Sequence, residues 1–164
     1  MPEPAYAPQS IRRLPSWLLG RAAARGHRLV SEALAAEGLR MMHHAVLTTV
    51  AELGPLSQAE LGRTLRVDPK DMVAVLDDLQ RDDLIRRAPD PRDRRRNAVA
   101  VSDAGREALR RTTAAGGRAN AALTAALTPE EVEQLLDLLT RIVTAEDTGE
   151  APGRTADRTG RAEG

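Results

Sequence analysis

The sequence predicts a mainly α-helical fold that contains one small β-hairpin. Three observations lead to this prediction. Apolar residues recur at helical spacing near both ends of the chain, capping signatures introduce short helices between them, and two strand-like runs bracket an arginine-rich tip. With 164 residues, the chain is long enough to bury a core of useful size as one domain. The order of these elements places long helices on either side of a central unit.

The N-terminal part is predicted to be a flexible arm followed by a long helix. Residues 1–10 contain three prolines and no periodic pattern, which favours a loose arm. After Pro15, an apolar pattern of helical spacing continues to about Gly38, a residue suited to a C-terminal cap. Residues 11–40 are therefore predicted to form the first dimerisation helix.

Three helices are predicted in the central part of the chain. A helix over residues 41–53 comes first and is ended by a Gly-Pro pair. Ser57 and Glu60 then have the spacing of a capping box, in which hydroxyl and carboxylate each serve a free N–H of the first turn. Asp68 and Pro69 supply the N-cap and first residue of the next helix, which is placed like a recognition helix.

A basic hairpin follows these helices. Two strand-like runs lie at the ends of residues 84–102, and residues 84–96 carry six arginines against two aspartates, although the whole chain has a formal net charge of zero. A local excess of arginine favours a polyanion as partner. Because the order helix, turn, helix, hairpin is that of a winged helix-turn-helix, residues 41–102 are predicted to be a DNA-binding domain.

The C-terminal part is predicted to form two further helices and a disordered tail. Ser102 is a suitable N-cap for the first of them, and Gly116-Gly117 is expected to bend or break that helix, at about 1 kcal/mol per glycine relative to alanine. Residues 103–146 are predicted to be the second set of dimerisation helices. Residues 147–164 combine Gly, Pro and charge without periodicity and are predicted to be disordered.

The long helices carry apolar residues that a small DNA-binding unit cannot cover, and this predicts a homodimer. A two-fold dimer would read double-stranded DNA with a pseudo-palindromic operator, whose half-sites lie ~34–36 Å apart. The residues that need a partner are Trp17, Leu18, Leu135, Leu139 and Ile142.

Other classes of function find little support in the sequence. The absence of cysteine excludes disulfides, thiolate metal sites and thiol redox sensing. No cysteine nucleophile, Gly-rich phosphate loop after a strand or serine elbow with a nearby histidine is visible, so the chain is not expected to be an enzyme or to need a cofactor. No apolar run approaches the roughly 18 residues of a membrane span, and a cytoplasmic protein is expected.

The histidines do not predict a metal site. His43 and His44 are adjacent on a helix and point about 100° apart, so they cannot ligate one metal together. A role in the core or at an interface is favoured for them.

Several motifs together resemble the MarR (multiple antibiotic resistance regulator) family of bacterial transcription factors, over roughly residues 11 to 146. The most specific is the wing motif Asp93-Arg94-Arg95, followed by a strand and by a Ser-x-x-Gly helix start. The motifs that carry the resemblance lie at Gly54–Leu61, Val67–Pro69, Leu76–Leu79, Arg87–Arg96 and Ser102–Arg106.

The resemblance implies a ligand-responsive regulator, a repressor, with a recognition helix in the major groove and a wing in the minor groove. Arg95 would be the wing-tip arginine and Asp93 the carboxylate that orients it, with Arg94 and Arg96 on phosphates. A small aromatic or lipophilic effector would bind between the dimerisation helices and the winged unit. The implied DNA-binding residues are Ser57, Gln58, Lys70, Asp71, Ala74, Arg92, Asp93, Arg94, Arg95 and Arg96, and the implied effector-binding residues are Trp17, Met41, Met42 and His44.

Two positions depart from the family pattern. The start of the recognition helix has Lys70, Asp71, Val73 and Ala74 where Ser, Thr and Arg are frequent. Asp71 either caps the helix or accepts a hydrogen bond from a cytosine amino group. Asp83 occupies a position where Gly is usual, and Asp tolerates a left-handed backbone better than most residues.

These departures and the zero net charge keep an alternative open. The chain could be a dimeric winged-helix interaction protein, or a non-specific DNA-binding protein without effector control. Apolar residues such as Trp17 could equally belong to the core rather than to an effector pocket.

Overall fold

The computed structural model describes residues 8–89 and 97–145. The chain divides into two compact units, Met1–Leu123 and Thr124–Gly164, and the described part of each is treated by itself. Within the described part of the chain, no helix is long and apolar enough to cross a membrane.

The order of elements confirms a mainly α fold with one small antiparallel hairpin. Seven helices and two strands are described. They are α1 (Gln9–Arg12), α2 (Pro15–Ala36), α3 (Met41–Leu53), α4 (Gln58–Leu65), α5 (Pro69–Arg81), β1 (Ile85–Pro89), β2 (Asn97–Val101), α6 (Asp103–Leu123) and α7 (Pro129–Ala145).

The last residues of the segment predicted to be a loose arm are helical. A single helical turn, α1, begins at Gln9, and the Pro8 carbonyl accepts hydrogen bonds from Ile11 N and Arg12 N at 3.0 and 3.1 Å. These bonds order a turn that lies partly within the segment predicted to be loose, while the remainder of that segment, residues 1–7, lies outside the described residues.

The long helix α2 starts at Pro15, as expected from the fixed φ of proline.

The core of the first unit lies where α3, α4, α5 and the hairpin meet. The short helices each contribute one apolar face, and the hairpin contributes its inner face. Leu56 extends the sheet, since Leu56 N donates to Val99 O at 3.3 Å and Val99 N donates to Leu56 O at 2.8 Å. The side chains with 0 or 1 % exposure include Val46, Leu47, Leu61, Met72, Leu76, Leu79 and Ile85.

The start of α6 is fastened to the end of α5 by a close backbone contact. The Ser102 hydroxyl donates to the Asp83 carbonyl at 2.6 Å and accepts from Gly105 N at 2.9 Å. A Cβ on Gly105 would lie 2.0 Å from the Leu84 carbonyl oxygen, so this position has no room for a side chain. The Ser-x-x-Gly motif therefore joins the recognition helix to the hairpin and to α6. Asp83 has the left-handed backbone (φ 55°) that its position was expected to require.

The predicted break at Gly116-Gly117 is wrong. Helix α6 continues through both glycines because its neighbouring small residues pack against α2. Thr112, Ala115 and Ala119 are buried along that face. Tertiary packing offsets the intrinsic cost of glycine, which is about 1 kcal/mol per residue in a helix interior.

The described part of the second unit is dominated by α7. A capping box starts this helix, with Thr128 N donating to Glu131 Oε2 at 2.8 Å and Glu131 N donating to Thr128 Oγ1 at 3.3 Å. The backbone N–H of Glu130 and the Thr128 hydroxyl lower the pKa of the Glu130 carboxyl. No residue of α7 is buried. Its exposed large apolar residues are Leu136, Leu138, Ile142 and Val143, each more than half exposed.

Candidate nucleic-acid interface

The first helix of the helix-turn-helix pair, α4, begins at the predicted capping box. Glu60 N donates to Ser57 Oγ at 3.3 Å, and Ser57 N donates to Glu60 Oε2 at 2.8 Å. The Ser57 hydroxyl donates to the same carboxylate at 2.6 Å. Ser57 thus holds the helix start, and Gln58 begins α4 as a half-buried residue.

The second helix, α5, is capped by Asp68 rather than by Asp71. The Asp68 side chain accepts a hydrogen bond from Lys70 N at 2.8 Å. Asp71 is exposed in the first turn, so the interpretation of this residue as the cap is wrong. Its charge still interacts favourably with the positive end of the helix dipole.

The orientation of α5 about its own axis is set by a fully buried stripe. Met72, Leu76 and Leu79 have 0 % exposure. Lys70, Asp71, Val73 and Ala74 on the first turns of the helix are exposed. The residues predicted to read bases therefore lie on the solvent-facing side of α5.

The hairpin is paired from its base to Pro89 and Asn97, with Ile85 opposite Val101. Arg87 on β1 donates to Asp77 on α5 at 2.6 Å, and this ion pair joins the wing strand to the recognition helix. No local pattern indicates this pair, because its two residues belong to different elements and are ten positions apart. The predicted tip residues, Arg92, Asp93, Arg94, Arg95 and Arg96, lie outside the described residues.

An ionic cluster of Arg40, Asp78 and Arg81 joins α5 to the start of α3 and was not predicted from the sequence. Asp78 accepts hydrogen bonds from Arg81 at 2.9 Å and from Arg40, which lies just before α3. The Arg81 hydrogen bond is the main reason why the pKa of the Asp78 carboxyl is lowered. The spacing of Asp78 and Arg81 could have suggested their pairing, whereas Arg40 is 38 residues away.

His43 belongs to the same cluster. It is 6 % exposed, and Arg40 Nη2 donates to its Nε2 at 3.1 Å. Burial, and next the Arg40 charge, lower the pKa of His43, while Asp78 acts in the opposite direction. The imidazole is therefore a neutral acceptor in the core, as favoured from the sequence. Among the described residues, no group of three His, Asp or Glu side chains could hold a metal ion.

Two of the four predicted effector-binding residues make contacts where α2, α3 and α6 meet. The Ser31 hydroxyl donates to Met41 Sδ at 3.0 Å. The Thr112 hydroxyl donates to the Ala108 carbonyl at 2.9 Å. The same oxygen can therefore accept a hydrogen bond from His44 Nδ1, which lies 2.9 Å away. Burial lowers the pKa of His44. Met42 is half-buried on the same helix, α3.

The fourth of these residues, Trp17, lies elsewhere. Its ring is 5.6 Å from the Arg21 guanidinium in the first half of α2. Trp17 and Ser31 are 14 positions apart on one helix, which corresponds to about 21 Å at 1.5 Å per residue. Within one protomer, Trp17 and Met41 therefore do not line one small pocket.

Two cavities are described in the first unit. One of about 320 Å³ lies between α4 and the start of α5, beside Gln58, Arg63 and Pro69. The other, of about 350 Å³, is an open groove between α2 and α6 whose floor is formed largely by alanines.

Comparisons with known proteins agree with this architecture. The MarR family model matches residues 37–96, which span α3 to the hairpin. A probable transcriptional regulator from Pseudomonas aeruginosa has 33% identity and a TM-score of 0.70, over 80% of this chain and 98% of that one. The chain belongs to the MarR family. It is therefore a member of a family of DNA-binding transcriptional regulators.

Two further MarR-type structures have the same fold. CouR from Rhodococcus jostii, solved with p-coumaroyl-CoA, has 27% identity and a TM-score of 0.70, over 82% of this chain and 95% of that one. The reduced form of MarR from E. coli has 25% identity and a TM-score of 0.70, over 79% and 96%. No curated protein matches the sequence significantly.

Proposed function

We propose that this MarR-family protein is a homodimeric, sequence-specific DNA-binding repressor that acts in the bacterial cytoplasm. The observation that carries the proposal is the arrangement of α4, α5 and the hairpin. A fully buried stripe directs one side of α5 toward solvent, and the strands beside it lead into a segment with four arginines. A helix presented in this way fits the major groove, and an adjacent basic wing fits the minor groove.

The dimer is supported by α7. Leu136, Leu138, Ile142 and Val143 remain exposed in the described second unit, whereas Leu135 and Leu139, which were also expected to need a partner, are half-buried. Leu136 and Ile142 are 53% and 54% exposed, and Val143 is 68% exposed. A second copy of the chain would remove this apolar stripe from water and supply the two-fold axis of a pseudo-palindromic operator.

The wing arginines are proposed to have different roles. Replacing Arg95 with alanine should weaken binding by about 1–3 kcal/mol per contact and flatten the preference for A·T pairs beneath the wing. The physical reason is that the negative potential of the minor groove increases as the groove narrows, and its width depends on sequence. The measurement is the affinity of the wild-type protein and of the Arg95→Ala variant for A·T-rich and G·C-rich versions of one site.

Arg94 and Arg96 provide the matched controls. Both are proposed to contact phosphates. Replacing either one with alanine should weaken binding to all sequences about equally, and should reduce the slope of log affinity against log salt concentration by roughly one. Asp93→Ala should resemble a milder Arg95→Ala, because it leaves the guanidinium present but unoriented. Equal losses on specific and random DNA after Arg95→Ala would refute the minor-groove assignment.

We also propose that a small aromatic or lipophilic effector controls DNA binding. The relative CouR was solved with p-coumaroyl-CoA, and here Met41, Met42 and His44 lie on a helix, α3, that packs against α2 and α6. An effector that favours one spacing of the two recognition helices would shift the protein away from the DNA-compatible state. Titration with phenolic acids and their CoA thioesters should change DNA affinity. A panel that neither binds nor changes tight DNA binding would contradict effector control.

The alternative of non-specific binding has an observation in its favour. Asp71 is exposed in the first turn of α5, where its negative charge opposes close approach of this helix to DNA, so binding would rest mainly on the arginines between the hairpin strands. Under this alternative, the arginines would bind any duplex equally well, and base identity beneath α5 would have no effect.

A further inference from the structure

We propose that α5 reads DNA through an acidic and apolar surface. Asp71 accepts a hydrogen bond from a cytosine amino group, and Val73 and Ala74 contact thymine methyl groups. This inference rests on the proposed DNA-binding function and specifies which bases the helix selects.

The geometry of α5 places these three residues where bases would lie. Successive residues of an α-helix are about 100° apart, so Ala74 projects nearly opposite the buried stripe of Met72, Leu76 and Leu79. Asp71 and Val73 then project to opposite flanks of the outward side, and Val73 is 40% exposed. All three belong to the N-terminal half of the helix, the part that contacts base edges in helix-turn-helix proteins.

The Asp71 carboxylate is not needed for the cap, because Asp68 supplies it at 2.8 Å. An ionised carboxylate only accepts hydrogen bonds, so in the major groove it can pair with an exocyclic amino group. On its own base, cytosine has only the C5–H beside its N4 amino group, and the neighbouring guanine O6 is already engaged in the base pair. Adenine offers N6 beside N7, whose lone pair repels a carboxylate. Cytosine is therefore the base that Asp71 selects.

The arginine at the end of α5 and one arginine of the adjacent strand are each held in an ion pair. Arg87 on the neighbouring strand is paired with Asp77 at 2.6 Å and is 30% exposed, and Arg81 is paired with Asp78 at 2.9 Å. In the exposed N-terminal half of α5, Lys70 is the one cationic side chain. The remaining outward surface is apolar, and apolar side chains distinguish bases by contact with the thymine methyl.

Selection from a randomised duplex library tests the inference. The intact protein should enrich a site with cytosine at one position of each half-site and thymines beside it. With Asp71→Asn, the selected base at that position should change from cytosine to adenine, with adenine enriched over cytosine by about tenfold or more, because an amide can pair with both N6 and N7 of adenine. Asp71→Ala should lose the preference at that position. Asp82→Asn, which removes an exposed charge at the other end of α5, is the matched control and should select the wild-type site.

Replacing thymine with uracil in the selected site tests Val73 and Ala74 without altering the protein. Loss of one methyl contact should weaken binding by about fourfold, the equivalent of about 0.8 kcal/mol for one buried methyl group. A cytosine that persists with both Asp71 variants, or affinity unchanged by uracil, overturns the corresponding part of the inference. If the wild-type protein enriches no sequence at all, the proposed function itself fails.

Discussion

Replacing Gly105 with alanine is expected to lower the free energy of unfolding by about 3 kcal/mol or more. The new methyl group would lie 2.0 Å from the Leu84 carbonyl oxygen and 2.8 Å from Val101 Cγ1. Neither neighbour can move freely, because Leu84 O also accepts a hydrogen bond from Ser102 N at 3.1 Å and Val101 is paired in the hairpin. Chemical denaturation with urea measures the change.

Gly116→Ala is the control for this substitution, because it makes the same chemical change in the same helix. Nothing lies within 4 Å of a Cβ at Gly116. Alanine there should therefore stabilise the protein by about 0.5–1 kcal/mol through helix propensity alone. Similar effects at the two positions would show that the contact of Gly105 with Leu84 does not constrain the fold.

The double substitution Leu136→Glu and Ile142→Glu is expected to convert the dimer to a monomer. Both side chains are more than half exposed on α7, and two charges per chain in an apolar interface would be buried without partners. Light scattering should show a mass near 17.7 kDa for the variant and twice that mass for the wild-type protein.

Thr144→Glu is the matched control, since it adds one charge at a position that lies about 80° or more around α7 from each exposed apolar residue. This variant should remain dimeric. A wild-type chain that is a folded monomer at micromolar concentration would contradict the proposed dimer.

Features fixed by neighbouring residues were predictable from the sequence. The capping box at Ser57, the start of α2 at Pro15 and the backbone of Asp83 all depend on interactions within a few positions of the chain. The paired hairpin was predictable because strand-forming runs stood on both sides of a polar tip. The motifs in this order also resembled the MarR family, and the family match confirmed that assignment.

Features that depend on tertiary contacts were not predictable. Gly116-Gly117 stays helical because the small residues of α6 pack against α2, a contact that local propensity does not contain. The ion pairs of Asp78 with Arg40 and of Asp77 with Arg87 join separate elements. The distance between Trp17 and Met41 follows from the length of α2.

The roles of individual bases and residues at the interface stay predictions. The described structure orients Lys70, Asp71 and Ala74 on the outward side of α5, but sequence-specific contacts depend on the DNA as well as on the protein.

The affinity of the wild-type dimer for an A·T-rich palindrome and for random duplex of equal length, measured across a salt series, tests the central claim most directly. Half-sites ~34–36 Å apart match the two-fold spacing of such dimers. The account predicts that both affinities fall with salt and that the palindrome is bound at least about 10³-fold more tightly at physiological salt. Equal affinity for the two duplexes at every salt concentration would contradict it and leave a non-specific DNA-binding protein.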